Sequence, residues 1–166
     1  MPITFFVLRP NWRENQDFLY GTDDKLKYIS KKETNIKDNI ILNDQSELIV
    51  SSKILTIINK FALTGIKQSK IQITNSAGKR FLNYYSLQII GKSGDYDTSQ
   101  LQPTKIDVGF AQLPAKKGFF LPQDVWDGSD IFHPSSRLTI LLSEKAANIF
   151  KKFPEVTVTR LEDFVC

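Results

Sequence analysis

At 166 residues, with 41% hydrophobic and 24% charged side chains, the chain has the length of one domain and the composition of a folded globular protein, which excludes disordered and fibrous classes. A net charge of +4 and a pI near 9.1 fall short of a nucleic-acid binder, which wants a denser basic face interleaved with stacking aromatics. The lone cysteine, Cys166, rules out an intrachain disulfide and any Cys-x-x-Cys or zinc-knuckle site, and fits a reducing compartment.

Residues 3–8 are apolar enough for a first strand ending at Arg9-Pro10. They lack the basic n-region, long apolar h-region and small-residue cleavage site of a signal peptide, and no run has the length of a membrane helix, so a cytoplasmic protein is expected. From 11 to 20, Trp12, Phe18 and Tyr20 sit among polar residues, as in an irregular connection whose aromatics pack on the core. Tyr28 and Ile29 start another strand, and 30–38 reads as a polar loop. Arg9, Arg13, Lys25, Lys27, Lys31, Lys32 and Lys37 load the first quarter with positive charge, but Asp23, Asp24, Glu33 and Asp38 interrupt them, as on a solvated surface. Asn43-Asp44-Gln45 reads as a turn.

The stretch 48–66, LIVSSKILTIINKFALTGI, returns near the end of the chain. Ser51, Lys53, Ile57, Lys60 and Phe61 recur at one constant offset as Ser143, Lys145, Ile149, Lys152 and Phe153. Each copy opens on an apolar triplet, Leu48-Ile49-Val50 or Ile140-Leu141-Leu142, which predicts a short buried strand, and then a serine suited to capping a helix. Spacings of three and four put Ile54, Ile57, Ile58 and Phe61 on one face of the first helix, and Ala146, Ile149, Phe150 and Phe153 on one face of the second. Gly65 is placed to close the first helix in the left-handed conformation, and Pro154 ends the second. Alternating runs follow both, through Ile71 and Ile73 and through Val156 and Val158. The pattern predicts a strand-helix-strand unit used twice, 48–73 resembling 140–160.

Between the copies, 75–78 is turn-like and 80–90 is the best long strand, with Phe81, Tyr85, Leu87 and Ile89 on one side and Tyr84 and Ile90 on the other. Residues 91–102, GKSGDYDTSQLQ, read as a flexible polar loop. Residues 105–112 alternate through Ile106, Val108 and Phe110 until Pro114 to Gly118 break the run, and 124–136, DVWDGSDIFHPSS, form a loop rich in aspartate and aromatic residues. Strands outnumber helices without regular alternation. The expected fold is therefore α+β, a single domain spanning 1–166 whose mixed or antiparallel sheet carries two similar strand-helix-strand units.

The candidate catalytic motifs are weak. Gly91-Lys92-Ser93 looks like the end of a phosphate-binding loop, but the glycine required five residues earlier is Ser86. His133 is the only histidine; a triad would have to combine it with Asp127 or Asp130 and with Ser135, Ser136 or Ser143, none of which lies in a nucleophile elbow. One histidine cannot supply the multi-histidine set of a catalytic zinc site, and Asp124, Asp127, Gly128 and Asp130 miss the spacing of a calcium loop, so no metal or other cofactor is expected. Tyr96 and Trp126 in polar loops suit a protein interface better.

Ser129-Asp130-Ile131-Phe132, followed by Leu138-Thr139-Ile140-Leu141-Leu142-Ser143-Glu144-Lys145, resembles the motif pattern of immunity proteins from bacterial polymorphic toxin systems, and is most similar to the family numbered eleven. The exit Leu63-Thr64-Gly65-Ile66 and the Tyr84-Tyr85 strand with the aspartate loop after it look alike too; the resemblance runs from about residue 42 onward. It implies an antitoxin with no chemistry of its own, which occludes a cognate toxin, a nuclease or other secreted effector domain, inside the producing cell. The interface is then expected among Asp95, Tyr96, Asp97, Trp126, Asp127, Asp130 and Phe132, aromatic anchors with acidic neighbours. The alternative from another class is a small hydrolase or nucleotide-binding enzyme using His133 and the Gly91 loop. A nucleic-acid binder, betrayed by steep salt dependence, is the third.

Overall fold

The computed structural model describes residues 3–11, 16–42, 47–135 and 139–166. Trp12, Arg13, the turn Asn43-Asp44-Gln45, Ser136 and Leu138 lie outside the described residues. In chain order the elements are β1 (Phe6–Pro10), β2 (Tyr20–Gly21), β3 (Lys27–Ser30), β4 (Ile40–Leu42), β5 (Leu48–Ser51), α1 (Ser52–Lys60), β6 (Ile66–Asn75), β7 (Arg80–Ile89), β8 (Gly91–Ser93), β9 (Gln102–Asp107), β10 (Gln112–Lys117), β11 (Ile131–Pro134), β12 (Ile140–Leu142), α2 (Glu144–Phe150) and β13 (Val156–Arg160).

These elements overturn the α+β expectation. Among the described residues strand makes up 44% and helix 14%, with two α-helices, so the fold is mainly β. There is no one mixed sheet either. The strands form a sheet in the order β13-β1-β12-β11-β8, a second in the order β2-β3-β6-β7-β5-β4, and a separate ribbon of β9 and β10. The two stretches predicted as equivalent units belong to different sheets, and in neither do the strands flanking the helix pair with each other. Antiparallel β7 lies between β5 and β6, and antiparallel β1 between β12 and β13. The physical reason is that neither helix is long enough to cover a sheet. Each bridges two parallel strands over an inserted third, and the ladder hydrogen bonds go to that third strand.

Each sheet carries a buried apolar cluster on both faces. Strand β5 is buried at every position, which is why it reads as a continuous apolar run rather than an alternation. Leu48, Val50 and Leu87 of the second sheet meet Phe6, Leu8, Ile140 and Leu142 of the first, with Ile54 and Ile58 of α1 and Ala146, Ile149 and Phe150 of α2 in the same cluster. Behind the second sheet, Ile41, Ile49, Ile71, Ile73 and Tyr84 pack on Leu19 and Ile36. Behind the first, Phe5, Val7, Phe132 and Leu141 pack on Tyr96, Phe119, Leu121, Leu161 and Phe164.

Several local expectations change. Phe81 packs with Tyr84 rather than opposite it, because a bulge interrupts the β6–β7 register where Ile71 faces Tyr84 but Ile73 faces Phe81; the extra residue in β7 flips the alternation. The first helix is closed not by Gly65 but by Ala62, at φ 48°, with Leu63 N–H donating to Ile58 O (3.1 Å) and Ala62 N–H to Asn59 O (3.1 Å). Gly65, at φ 88°, is required instead by close packing, since a Cβ there would lie 2.0 Å from Ile131 O. The alternating run 105–112 is a hairpin rather than one strand, turning at Gly109, φ 84°. Pro114 stays inside β10. Lys116, two residues on, turns its N–H outward to Cys166 O (2.8 Å), so the proline nitrogen is on the outer side of the ribbon, where no ladder bond is lost.

Candidate functional site

The loops 91–102 and 124–136 come together in space. Gly91-Lys92-Ser93 is a strand, β8, running parallel to β11 with Phe132 opposite Gly91, His133 opposite Lys92 and Pro134 opposite Ser93. Gly91 is required there by close approach, since a Cβ would lie 2.3 Å from Ile131 O. On its other side this segment runs antiparallel to 120–127: Asp97 N–H donates to Phe120 O (2.8 Å), Gly94 N–H to Val125 O (2.8 Å) and Asp127 N–H to Lys92 O (3.2 Å).

The carboxylates along this seam are held in place. Asp127 accepts from Lys92 N–H (2.7 Å) and Ser129 N–H (2.9 Å), and Asp95 from the Ser135 hydroxyl (2.9 Å). Asp97 accepts from Ser99 N–H (2.8 Å), and Ser99 holds its carboxyl below the usual range. Partial burial pushes Asp127 up, but the hydrogen bonds from Ser129 and Lys92 outweigh it, so its carboxyl also sits below the usual value. Asp95, Asp124 and Asp127 are exposed and Asp97 is half-buried, with Phe120 and Val125 exposed among them. Lys92 is the one cation within these two segments.

The expected aromatic anchors face inward. Phe132 is fully buried, and Tyr96 is buried edge-on against Phe119 at 5.4 Å between ring centroids. Trp126 is half-buried on Phe5 (5.1 Å) and Phe132 (5.9 Å), and its Nε1–H donates to Ser129 O (2.9 Å). Asp130 is buried too. It accepts from the Ser143 hydroxyl (2.7 Å), from Thr64 N–H (3.0 Å) and hydroxyl (3.2 Å), and from Lys145 Nζ (3.2 Å). Tyr96, Asp130 and Phe132 therefore build the surface from beneath, while Asp95, Asp97 and Asp127 form it. Phe120 and Val125 are the exposed apolar neighbours that sequence reasoning missed. Phe120 follows the buried Phe119, and nothing in the sequence tells which of two adjacent phenylalanines points outward.

Among the described residues no triad assembles around His133. Its Nδ1 lies 3.0 Å from Thr139 O, the Ser135 hydroxyl is engaged by Asp95, and the Ser143 hydroxyl donates to Asp130 while accepting from Ala146 N–H (3.3 Å) as the cap of α2. Ser136 lies outside the described residues. Among the described residues no three His, Cys, Asp or Glu side chains converge as metal ligands, and no helix is long and apolar enough to cross a membrane. No known protein family matches the sequence, and no curated protein matches it significantly.

Proposed function

We propose that the chain is an immunity protein that binds a cognate toxin within the producing cell and neutralises it by occlusion. One observation carries this reading: the two aspartate loops are stitched by backbone hydrogen bonds into one seam, along which Asp95, Asp97, Asp124 and Asp127 reach solvent together with the apolar Phe120 and Val125. Carboxylates already fixed by hydrogen bonds lose little freedom on binding, and a surface of this sign complements a basic cleft such as a nuclease presents. Within the two segments Lys92 is the one cation against Asp95, Asp97, Asp124, Asp127 and Asp130, so this region is acidic although the chain carries a net charge of +4. The motif resemblance supports the same class. The enzyme alternative gains nothing from the surroundings of His133.

Co-expression with the product of the gene immediately upstream, which this reading takes to be the toxin, tests it. His133→Ala is expected to protect cells as the wild type does, whereas the triple variant Asp95→Lys, Asp97→Lys, Asp127→Lys is expected to lose protection. A triple variant that protects fully, or a His133→Ala variant that does not, goes against the assignment.

A further inference from the structure

The outer face of the second sheet changes character along its length. Ile49, Ile71 and Tyr84, from β5, β6 and β7, lie there under Leu19 and Ile36. Two residues on, the alternation of the same strands puts Ser69 and Ser86 on that face, directly opposite each other, with Gln88 beyond them. The apolar cover stops at this point. A pocket of about 390 Å³ opens over the two serines, a size that takes a small molecule.

The wall of the pocket is the connection between β2 and β3, and it is fastened. The Thr22 hydroxyl is shared between Asp24 O (2.9 Å) and Lys27 O (3.0 Å), Leu26 N–H donates to the Asp24 carboxylate (3.0 Å), and Gln72 N–H of β6 donates to Leu26 O (2.9 Å). Glu47 and the buried Tyr28 also line the pocket, the Tyr28 hydroxyl donating to the Glu47 carboxylate. The shape is therefore set before any ligand arrives, which keeps the ordering cost of binding low.

Its chemistry is that of a neutral polar site. Lys25 and Lys27 stand against Asp24 and Glu47, so the charges lining it sum to zero. Lys27 is paired with Asp24 at 3.0 Å and Glu47 is engaged by Tyr28, which leaves neither sign concentrated enough to select a phosphate or an ammonium group. What remains is different in kind: the half-buried Ser69 and Ser86 hydroxyls and the Gln88 amide have no hydrogen-bond partner among the described residues. Each of these groups both donates and accepts, which is the pattern that matches a row of hydroxyls. Leu26, 49% exposed on the wall, supplies an apolar contact for the carbon skeleton that carries them.

We propose that this pocket binds a small uncharged polyhydroxylated ligand of monosaccharide size. The proposal goes beyond the antitoxin reading and does not depend on it, since the pocket belongs to the second sheet and shares no residue with the acidic seam. Titration of the isotopically labelled full chain with ribose, glucose and inositol in turn, followed by backbone amide chemical shifts, tests it. At least one of the three is expected to give saturable shifts in the millimolar range, concentrated on Leu26, Lys27, Ser69, Ser86 and Gln88. Ser69→Ala with Ser86→Ala is expected to weaken that binding by about tenfold or more, as loss of two hydrogen bonds does. Gln88→Ala, at an exposed position, is expected to weaken it while the amide spectrum away from the pocket stays that of the wild type. The phosphate ester of ribose is expected to bind no more tightly than ribose. Shifts that are absent or never saturate with all three probes, meaning that water alone fills the pocket, overturn the proposal. So does binding that both variants retain in full, or a preference for the phosphate ester.

Discussion

Asp130 anchors the loop between the sheets. Its carboxylate takes hydrogen bonds from Ser143 at the start of α2, from Lys145, and from Thr64 after α1, 66 residues back along the chain, so one side chain ties the two helices' ends together. Burial pushes the carboxyl up, and these donors together bring it below the usual range. A depressed carboxylate stabilises the fold fully above its unfolded value of about 4, and that contribution fades as pH falls through the lower folded value. Asp130→Asn replaces an acceptor-only group with one that also donates, against neighbours that are themselves donors. A loss of about 2 kcal/mol is expected at pH 7, and the gap from the wild type should narrow at pH 3. Denaturant unfolding of both proteins at the two pH values measures this; an unchanged gap at pH 3 contradicts it.

At the scale of elements, the serine caps show how far sequence reaches. Ser143 caps α2 as its sequence context predicts, but Ser51, in the same position before α1, makes no side-chain cap and donates its hydroxyl to Asn39 Oδ1 (2.9 Å). Serine before an apolar helix marks where the helix starts, not which partner its hydroxyl finds, because here that partner is Asn39, just before β4. Helix exits are similar. Gly65 drew the prediction because glycine tolerates positive φ, yet the chain turns three residues earlier, at an alanine that pays the left-handed cost within a closed hydrogen-bond motif. Ala62→Gly is therefore expected to stabilise the protein by about 0.5–1 kcal/mol, read as a higher melting temperature in calorimetry; a lower one contradicts this reading of the helix end. The hairpin turn at Gly109 was legible in principle, as glycine between two alternating runs, but the alternation of Ile106, Val108 and Phe110 continues through it and hides the break.

In the whole molecule, β6-β7-β5-β4 and β13-β1-β12-β11 follow the same pattern of neighbours, with α1 and α2 in like places. The slot that β7 fills in one sheet is filled in the other by β1, from the far end of the chain. A repeat read along the sequence cannot reveal that exchange, since it depends on which strand arrives to pair, and this is why the two stretches looked like self-contained units. The cores were easier to read: Leu48, Val50, Ile54, Ile58, Ile140, Leu142, Ile149 and Phe150 all lie in one cluster. The candidate surface was half legible. Aspartates between turn residues signal exposure, whereas burial of Tyr96 and Phe132 comes from the first sheet's outer layer, to which segments distant in sequence contribute.

The proposal that the acidic seam grips a toxin is tested most directly by calorimetric titration of the full chain with the product of the gene immediately upstream, inactivated if it is toxic. Tight one-to-one binding per chain, weakened by added salt and reduced about 100-fold or more by Asp95→Lys, Asp97→Lys and Asp127→Lys together, is the predicted result. Binding that this triple variant retains at full strength, or no binding by the wild type, contradicts it.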